Sequence, residues 1–188
     1  MDIVSTPQQN KVHPHKFTLW IAMASIIMMF AGLTSAYIVK SNQANWVVVE
    51  TPIYFWYSTI AIIISSLTML MAVRSFKQRE MNKYRMFIAV TALLGVAFIV
   101  LQFLGFTWMW NNGVRFKGAG AGQFLYIIAG LHAAHVLGGV ITLIVLAIKA
   151  FFGKTRSYNP VPVEVTATYW HFVDFLWIYL LVFFIYLK

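Results

Sequence analysis

The chain has 188 residues, of which 61% are apolar or aromatic and only 10% are Asp, Glu, Lys or Arg. A water-exposed domain needs roughly 25% charge to cover its surface, so a soluble fold is excluded and the chain reads as a membrane protein. The formal charge of +9 sits beside the ends of apolar segments, a topology and lipid-headgroup signal rather than a nucleic-acid one; with no cysteine, disulfides, thiolate metal sites and iron–sulfur clusters are excluded.

Residues 1–16, MDIVSTPQQNKVHPHK, form a polar tail with two prolines. The tail lacks the apolar core and small-residue cleavage site of a secretory peptide, so the first apolar segment is expected to remain as an anchor. That segment, 17–39, contains no Asp, Glu, Lys or Arg and reaches about 34 Å as a helix, enough to span with modest tilt. The second, 53–73, follows Pro52, a residue suited to a helix start because its missing N–H would have had no partner there. The third, 84–108, follows the charged stretch 74–83; the fourth and fifth are predicted over 123–148 and 165–187. None alternates polar with apolar residues as a barrel strand does. The prediction is a single all-α domain, 17–188, a polytopic membrane helical bundle with five transmembrane helices.

The connections are too short to fold alone. The longest, from about Met109 to Gly122, ends in GAGAG at 118–122, but no strand precedes it and the Lys-Ser/Thr pair of a phosphate loop is missing, so it reads as a flexible external connection. No internal repeat supports an inverted-repeat transporter. Lys11, Lys16, Arg74, Lys77, Arg79, Lys83, Arg85, Lys149, Lys154 and Arg156 fall on one side; Lys40, Arg115, Lys117 and Lys188 fall on the other. This bias places the amino terminus inside and the carboxyl terminus outside.

Polar groups inside hydrocarbon cost about 2.5–3.5 kcal/mol for a central Asp, so they face protein and have partners. The serines and threonines of these segments, among them Ser25, Thr34, Ser58, Ser65, Ser66 and Thr91, can bond back to their own helix and mark packing faces. The informative residues are Gln102, the pair His132 and His135, and the pair His171 and Asp174. His132 and His135 are three apart and share a helix face that Gly139 continues. Gly130, Ala134 and Gly138 form a neighbouring small-residue stripe of the kind that lets another backbone approach. His171 and Asp174 repeat the spacing within YWHFVDFLW; an imidazole and a carboxylate in reach can share a proton, and pairing the two helices would satisfy all four groups.

Three readings of the histidines stand at this point. They ligate a metal or haem, although two histidines on one helix cannot clamp both faces of one haem and only His171 and Asp174 are at hand to complete a metal set. They relay protons or ions, although the first three helices hold no Asp or Glu to extend a path. Or they join a buried hydrogen-bonded network that fixes helix register, which the spacing favours.

The residues also carry a family likeness. Glu164, seven residues before His171 in Tyr169-Trp170-His171-Phe172-Val173-Asp174, with Trp177 beyond, resembles the last helix of subunit III of haem-copper terminal oxidases of the cytochrome c oxidase type. GLHAAHVLGG is similar to the family's Gly-x-His-x-x-His-Val segment through Gly130, His132, His135, Val136 and Gly139. Thr91, Leu94, Gly95, Phe98 and Gln102 look like its central helix, and Trp20, Ser25, Met28, Phe30, Gly32 and Tyr37 like its first retained helix. The likeness covers nearly everything after Lys16, in a short form that begins at the family's third helix. Two positions depart from the pattern: Ile26 follows Ser25, and Gly105 stands three residues after Gln102, where the family usually has acidic residues.

The resemblance implies a non-catalytic accessory subunit of a proton-translocating cytochrome c oxidase in aerobic respiration. Such a subunit packs on the haem-copper catalytic subunit I and other oxidase subunits, holds structural phospholipids, and supports proton uptake and sustained turnover. Haem and copper would belong to partner subunits, with no cofactor, metal or catalytic residue in this chain. His132, His135, Glu164, His171 and Asp174 are expected to form a buried polar network, with helix packing at Gly32, Gly95, Gly130, Ala134, Gly138 and Gly139. A larger respiratory supercomplex and the inner (plasma) membrane of a bacterium are the expected setting. The loss of acidic residues at 26 and 105 beside an intact His–Asp set fits structural service better than a proton path. The alternatives are a small membrane transporter and a haem-bearing quinol-oxidising subunit.

Overall fold

In the computed structural model of the chain, residues 14–41, 52–112, 121–152 and 160–186 are described. They form five α-helices: α1 (Pro14–Ser41), α2 (Ile53–Lys77), α3 (Met81–Asn111), α4 (Ala121–Phe152) and α5 (Val161–Tyr186). Each is long and apolar enough to cross a membrane, and no strand occurs among the described residues, as expected for an all-α membrane bundle. Every helix runs past its predicted ends except at Ile53 and at residue 187, α1 starting at Pro14 rather than 17 and α3 ending at Asn111 rather than 108. Several of the extra turns carry a charged residue, such as Lys16, Lys40, Arg74, Lys77, Lys83, Lys149 and Glu164, which suits the headgroup region at the ends of a membrane-spanning helix. Residues 1–13 of the tail and 113–120, which carry most of the GAGAG connection, lie outside the described residues.

The helices α2, α3, α4 and α5 pack in a ring, each against its neighbours, with α2 and α3 making the most extensive contact; among the described residues α1 lies against α4 and α5 only. In lipid there is little hydrophobic drive between helices, so close van der Waals packing and internal hydrogen bonds must hold them together. The α2–α3 seam shows how. On α2 the buried residues are Phe55, Ser58, Ile62, Ser65, Met69, Ala72 and Ser75, spaced by threes and fours. This is the stripe a helix needs to meet a nearly antiparallel partner. Opposite lie Thr91, Gln102 and Gly105 of α3, which meet Thr68, Ser58 and Phe55 of α2.

A tight reversal joins α2 to α3. The Arg79 N–H bonds the Phe76 carbonyl at 3.1 Å and the Glu80 N–H bonds the Ser75 carbonyl at 3.0 Å, the paired bonds of a Schellman ending. Arg79 takes the left-handed position at φ 61°, where glycine is usual and a side chain adds strain. Phe76 and Tyr84 close the corner edge to face at 5.0 Å.

The glycines divide into two groups. A Cβ on Gly95 would meet the Trp170 ring at 2.9 Å and Val140 at 3.0 Å, and one on Gly139 would meet the same ring at 2.9 Å. Both therefore seat the fully buried Trp170. Gly32, Gly130, Ala134 and Gly138 do not pack in this way. All four are exposed; nothing lies within 4 Å of a Cβ at Gly32 or Gly130, and only the Tyr169 hydroxyl reaches Gly138, at 4.0 Å. The reason is helical phase: the buried face of α4 carries His132, Val136, Gly139, Val140 and Leu143, and at about 100° per residue the Gly130–Ala134–Gly138 stripe lies on the opposite side.

Gly105 was expected only as a departure from an acidic position, yet it is the tightest of these contacts. Its Cβ would fall 2.6 Å from Phe55 Cε1, and the Phe55 ring cannot swing away because Phe106 and Trp177 stand edge-on to it at 5.8 and 5.5 Å. A Gly105→Ala substitution is therefore expected to destabilise the bundle by about 1–3 kcal/mol. Unfolding in mild detergent measures this loss, and Phe55→Leu should recover part of it in the double variant.

Candidate functional site: the polar interior

Four helices meet at His132. Its ring is 1% exposed and stacks on Trp177 of α5 at 5.3 Å and 26°. Phe30 of α1 and Phe98 of α3 stand edge-on to it at 6.4 and 6.3 Å. Both imidazole nitrogens lack a hydrogen-bond partner among the described residues. The ring is packed as an aromatic plate rather than as a donor or acceptor.

His135, one turn on, behaves differently. Its Nδ1–H bonds the Leu131 carbonyl of its own helix at 2.7 Å, and its ring lies edge-on to Phe30 at 5.9 Å. The Tyr169 hydroxyl donates to the His135 carbonyl at 3.1 Å, tying α5 to α4 through backbone rather than through imidazole.

On α5 the two polar side chains turn to α2 instead of α4. His171 Nδ1 and the Ser66 hydroxyl share a hydrogen bond of 2.6 Å. Ser66 also approaches the Asp174 carboxyl, though neither carboxyl oxygen nor His171 Nε2 has a hydrogen bond of good geometry. Glu164 lies at the start of α5, where an acidic residue suits the helix dipole. Its oxygens receive Lys16 Nζ of α1 at 2.7 Å and Lys77 Nζ of α2 at 2.9 Å. Three helix ends are thus fastened at one face of the bundle. The same face carries Arg85, whose Nε–H caps the Ala150 carbonyl near the end of α4 at 2.6 Å.

The five residues expected to form one network are therefore divided among three places. His132 and His135 point to aromatic rings and their own backbone, His171 and Asp174 to Ser66, and Glu164 to two lysines. No hydrogen bond joins the α4 histidines to the α5 pair among the described residues. The physical cause is the thickness of the aromatic layer, since Trp177 and Phe98, themselves 5.4 Å apart, fill the space between α4 and the other walls. Nor do three His, Asp or Glu side chains gather anywhere among the described residues.

Serine, threonine and tryptophan supply the links that the pattern of charged residues did not reveal. Trp170 Nε1–H donates to Ser65 at 3.2 Å, Trp177 Nε1–H to Thr59 at 3.0 Å and Gln102 Nε2 to Ser58 at 2.9 Å. Thr68 and Thr91 share a bond of 2.8 Å across the α2–α3 seam. The available signal was the run of Ser58, Ser65 and Ser75 at helical spacing on α2, which reads as a packing face until the tryptophans opposite it are placed.

Removing the two kinds of polar group should have opposite results. His132→Phe keeps the shape of the aromatic box and discards two unbonded nitrogens, so the bundle should be as stable or more so. Ser66→Ala strips His171 of its partner and should cost about 1–3 kcal/mol. Thermal unfolding of the two variants in one detergent compares them directly.

The sequence profile of the family described as cytochrome c oxidase subunit III matches residues 15–188. The chain is 25% identical over 166 residues to cytochrome c oxidase subunit 3 of Bacillus sp. (strain PS3), covering 86% of this chain and 80% of that protein. It is 30% identical over 163 residues to the probable cytochrome c oxidase subunit 3 of Nocardia farcinica, covering 84% and 80%. It is also 29% identical over 122 residues to the probable quinol oxidase subunit 3 of Staphylococcus epidermidis, covering 65% and 61%. With five apolar helices and a match that takes in every one of them, the chain belongs to the cytochrome c oxidase subunit III family.

Proposed function

We propose that the chain is a non-catalytic accessory subunit of a proton-translocating cytochrome c oxidase in a bacterial plasma membrane. In this reading it packs on the haem-copper catalytic subunit I and other oxidase subunits, holds structural phospholipids, and supports proton uptake and sustained turnover, while haem and copper belong to its partners. The observation that supports it best is the surroundings of His132. Among the described residues both ring nitrogens are without a hydrogen-bonding side chain or carbonyl inside a box of Phe30, Phe98 and Trp177, an arrangement that fits a packing element. The outward surface, with large apolar side chains exposed on every helix, suits lipid and neighbouring membrane helices.

The charge bias supports an amino terminus on the inner side. Lys16, Lys77, Arg85 and Glu164 gather at the helix ends of one face, and among the described residues that end of the bundle carries every Lys and Arg except Lys40. A reporter that is active only outside the cytoplasm, fused after Lys188, should be active, and one fused before α1 should be silent. The reverse pattern would invert the orientation.

Gentle solubilisation with a tag on this chain should bring down the haem-copper subunit. The chain separated from it should be colourless. An oxidase assembled without the chain should reduce oxygen at a near-normal initial rate but lose activity faster during turnover and take up protons more slowly. Asp174→Leu should impair assembly or lipid retention more than oxygen reduction. Haem retained by the isolated chain, or a fully assembled Asp174→Leu oxidase that no longer pumps protons, would overturn the accessory reading.

A further inference from the structure

Among the described residues Asp174 is the one acidic side chain deep in the bundle. It lies at the middle of α5, thirteen residues after Val161 and twelve before Tyr186, and is 4% exposed. No cation faces it. The ion pairs of the described residues go to Glu80 and Glu164, and α5 itself holds no Lys or Arg. The helices packed on α5 are α1, α2 and α4, which carry none over 17–39, 53–73 and 123–148, nor does α3 over 86–111. The other ionisable groups around α5 are turned elsewhere: His132 stacks on Trp177, His135 bonds the Leu131 carbonyl, Tyr169 bonds the His135 carbonyl and Tyr179 bonds Thr34. An ionised carboxylate so placed would be among the costliest groups a protein can bury.

The group that does approach it is a hydroxyl. Ser66 of α2 nears the carboxyl and shares the 2.6 Å hydrogen bond with His171 Nδ1, one turn before Asp174 on α5. These three side chains allow two arrangements of their protons. In the charged one His171 is an imidazolium that donates to Ser66 Oγ, and the Ser66 hydroxyl donates to an ionised Asp174. In the neutral one both bonds run the other way: Asp174 is a carboxylic acid donating to Ser66 Oγ, and Ser66 donates to His171 Nδ1. The surroundings choose between them. His171 Nε2 and both carboxyl oxygens are buried with no hydrogen bond of good geometry among the described residues, so the charged arrangement would enclose two ions whose charge-bearing atoms are undersupplied with partners. The neutral arrangement leaves there only a carbonyl and an N–H without net charge, the cheaper groups to bury.

We propose that α2 and α5 enclose a proton-holding site in which Asp174 is a neutral carboxylic acid donating its proton to Ser66, while Ser66 fixes His171 as the neutral tautomer protonated at Nε2. The site is a fastener without charge. It joins the midpoints of two helices whose ends are already joined by Lys77 and Glu164, and it keeps a titratable pair inside hydrocarbon without an ion. This goes beyond the accessory reading and does not depend on which subunits surround the chain.

The sequence makes the test direct, because Asp2 and Asp174 are its only aspartates. The full chain, labelled with carbon-13 at the aspartate side-chain carboxyl and nitrogen-15 in histidine, is purified in mild detergent and its magnetic resonance spectra are recorded near neutral pH. Two carboxyl signals are expected: an ionised one from Asp2 in the polar tail, and a protonated one that Asp174→Asn removes. The histidine signal lost in His171→Gln should be that of a neutral ring protonated at Nε2 alone. Asp174→Asn, whose amide N–H can donate to Ser66 as the acid does, should unfold at the wild-type temperature, whereas Asp174→Leu should unfold at a lower one. An ionised Asp174, whether beside a doubly protonated His171 or beside a neutral one, would overturn the proposal. So would a loss of stability in Asp174→Asn as large as that in Asp174→Leu. Recovery of the haem-copper subunit with the tagged wild-type chain reports separately on the accessory reading, and either result there leaves the protonation measurement unchanged.

Discussion

The seating of Trp170 between Gly95 and Gly139 is the contact on which the rest of this bundle depends. The ring is fully buried, and the space it fills exists because α3 and α4 each present a bare backbone position to it. In water such a tryptophan would be held largely by the hydrophobic effect, but in lipid that drive is weak and shape must replace it. Its indole N–H finds Ser65 on α2, so a single side chain of α5 touches three helices. Trp177, two turns along, repeats the arrangement with Thr59 of α2, Phe98 of α3 and His132 of α4. These two tryptophans make α5 the most buried helix of the five and leave α1, with the least burial, as an addition to a four-helix ring.

That arrangement explains the unusual treatment of the polar groups. Bonds to hydroxyl groups are short-range and can be made wherever two helices touch, so Ser58, Ser65, Ser66, Thr59 and Thr91 take up most of the interhelical hydrogen bonding. Imidazole and carboxylate would need a wider polar space to meet one another, and the aromatic layer does not leave it. His132 is therefore used for its flat ring, and His171 for a single bond to Ser66. The full charge of Glu164 is confined to a helix end, where lysines from two other helices reach it and the headgroup region begins.

The two departures from the family pattern gain a physical meaning from the same packing. Gly105 is where Phe55 enters the α2–α3 seam, and no side chain of any kind has room there. Ile26 is half-buried and packs against the core from α1, so a position that usually carries charge in the family contributes apolar contact here. Both positions give the interior apolar and aromatic packing where a carboxylate would need a partner.

Much of the architecture was legible in the residues alone, because a helix that crosses hydrocarbon must be about 20 apolar residues long whatever its neighbours do. The five spans and their approximate ends follow from local composition and spacing, and the family likeness was carried by the motif residues His132, His135, Glu164, His171 and Asp174. The pairing of those residues did not follow, because spacing tells which side chains share a face but not which helix that face meets. Only the tertiary structure decided that Gly139 rather than Gly138 seats a tryptophan, that His171 turns to Ser66 instead of the α4 histidines, and that Lys16 and Lys77 converge on Glu164. The reason is geometric: partner choice depends on the rotation of each helix about its axis, and that rotation is set by how the tryptophans and the small residues opposite them interlock, a property of pairs of helices that no single segment contains.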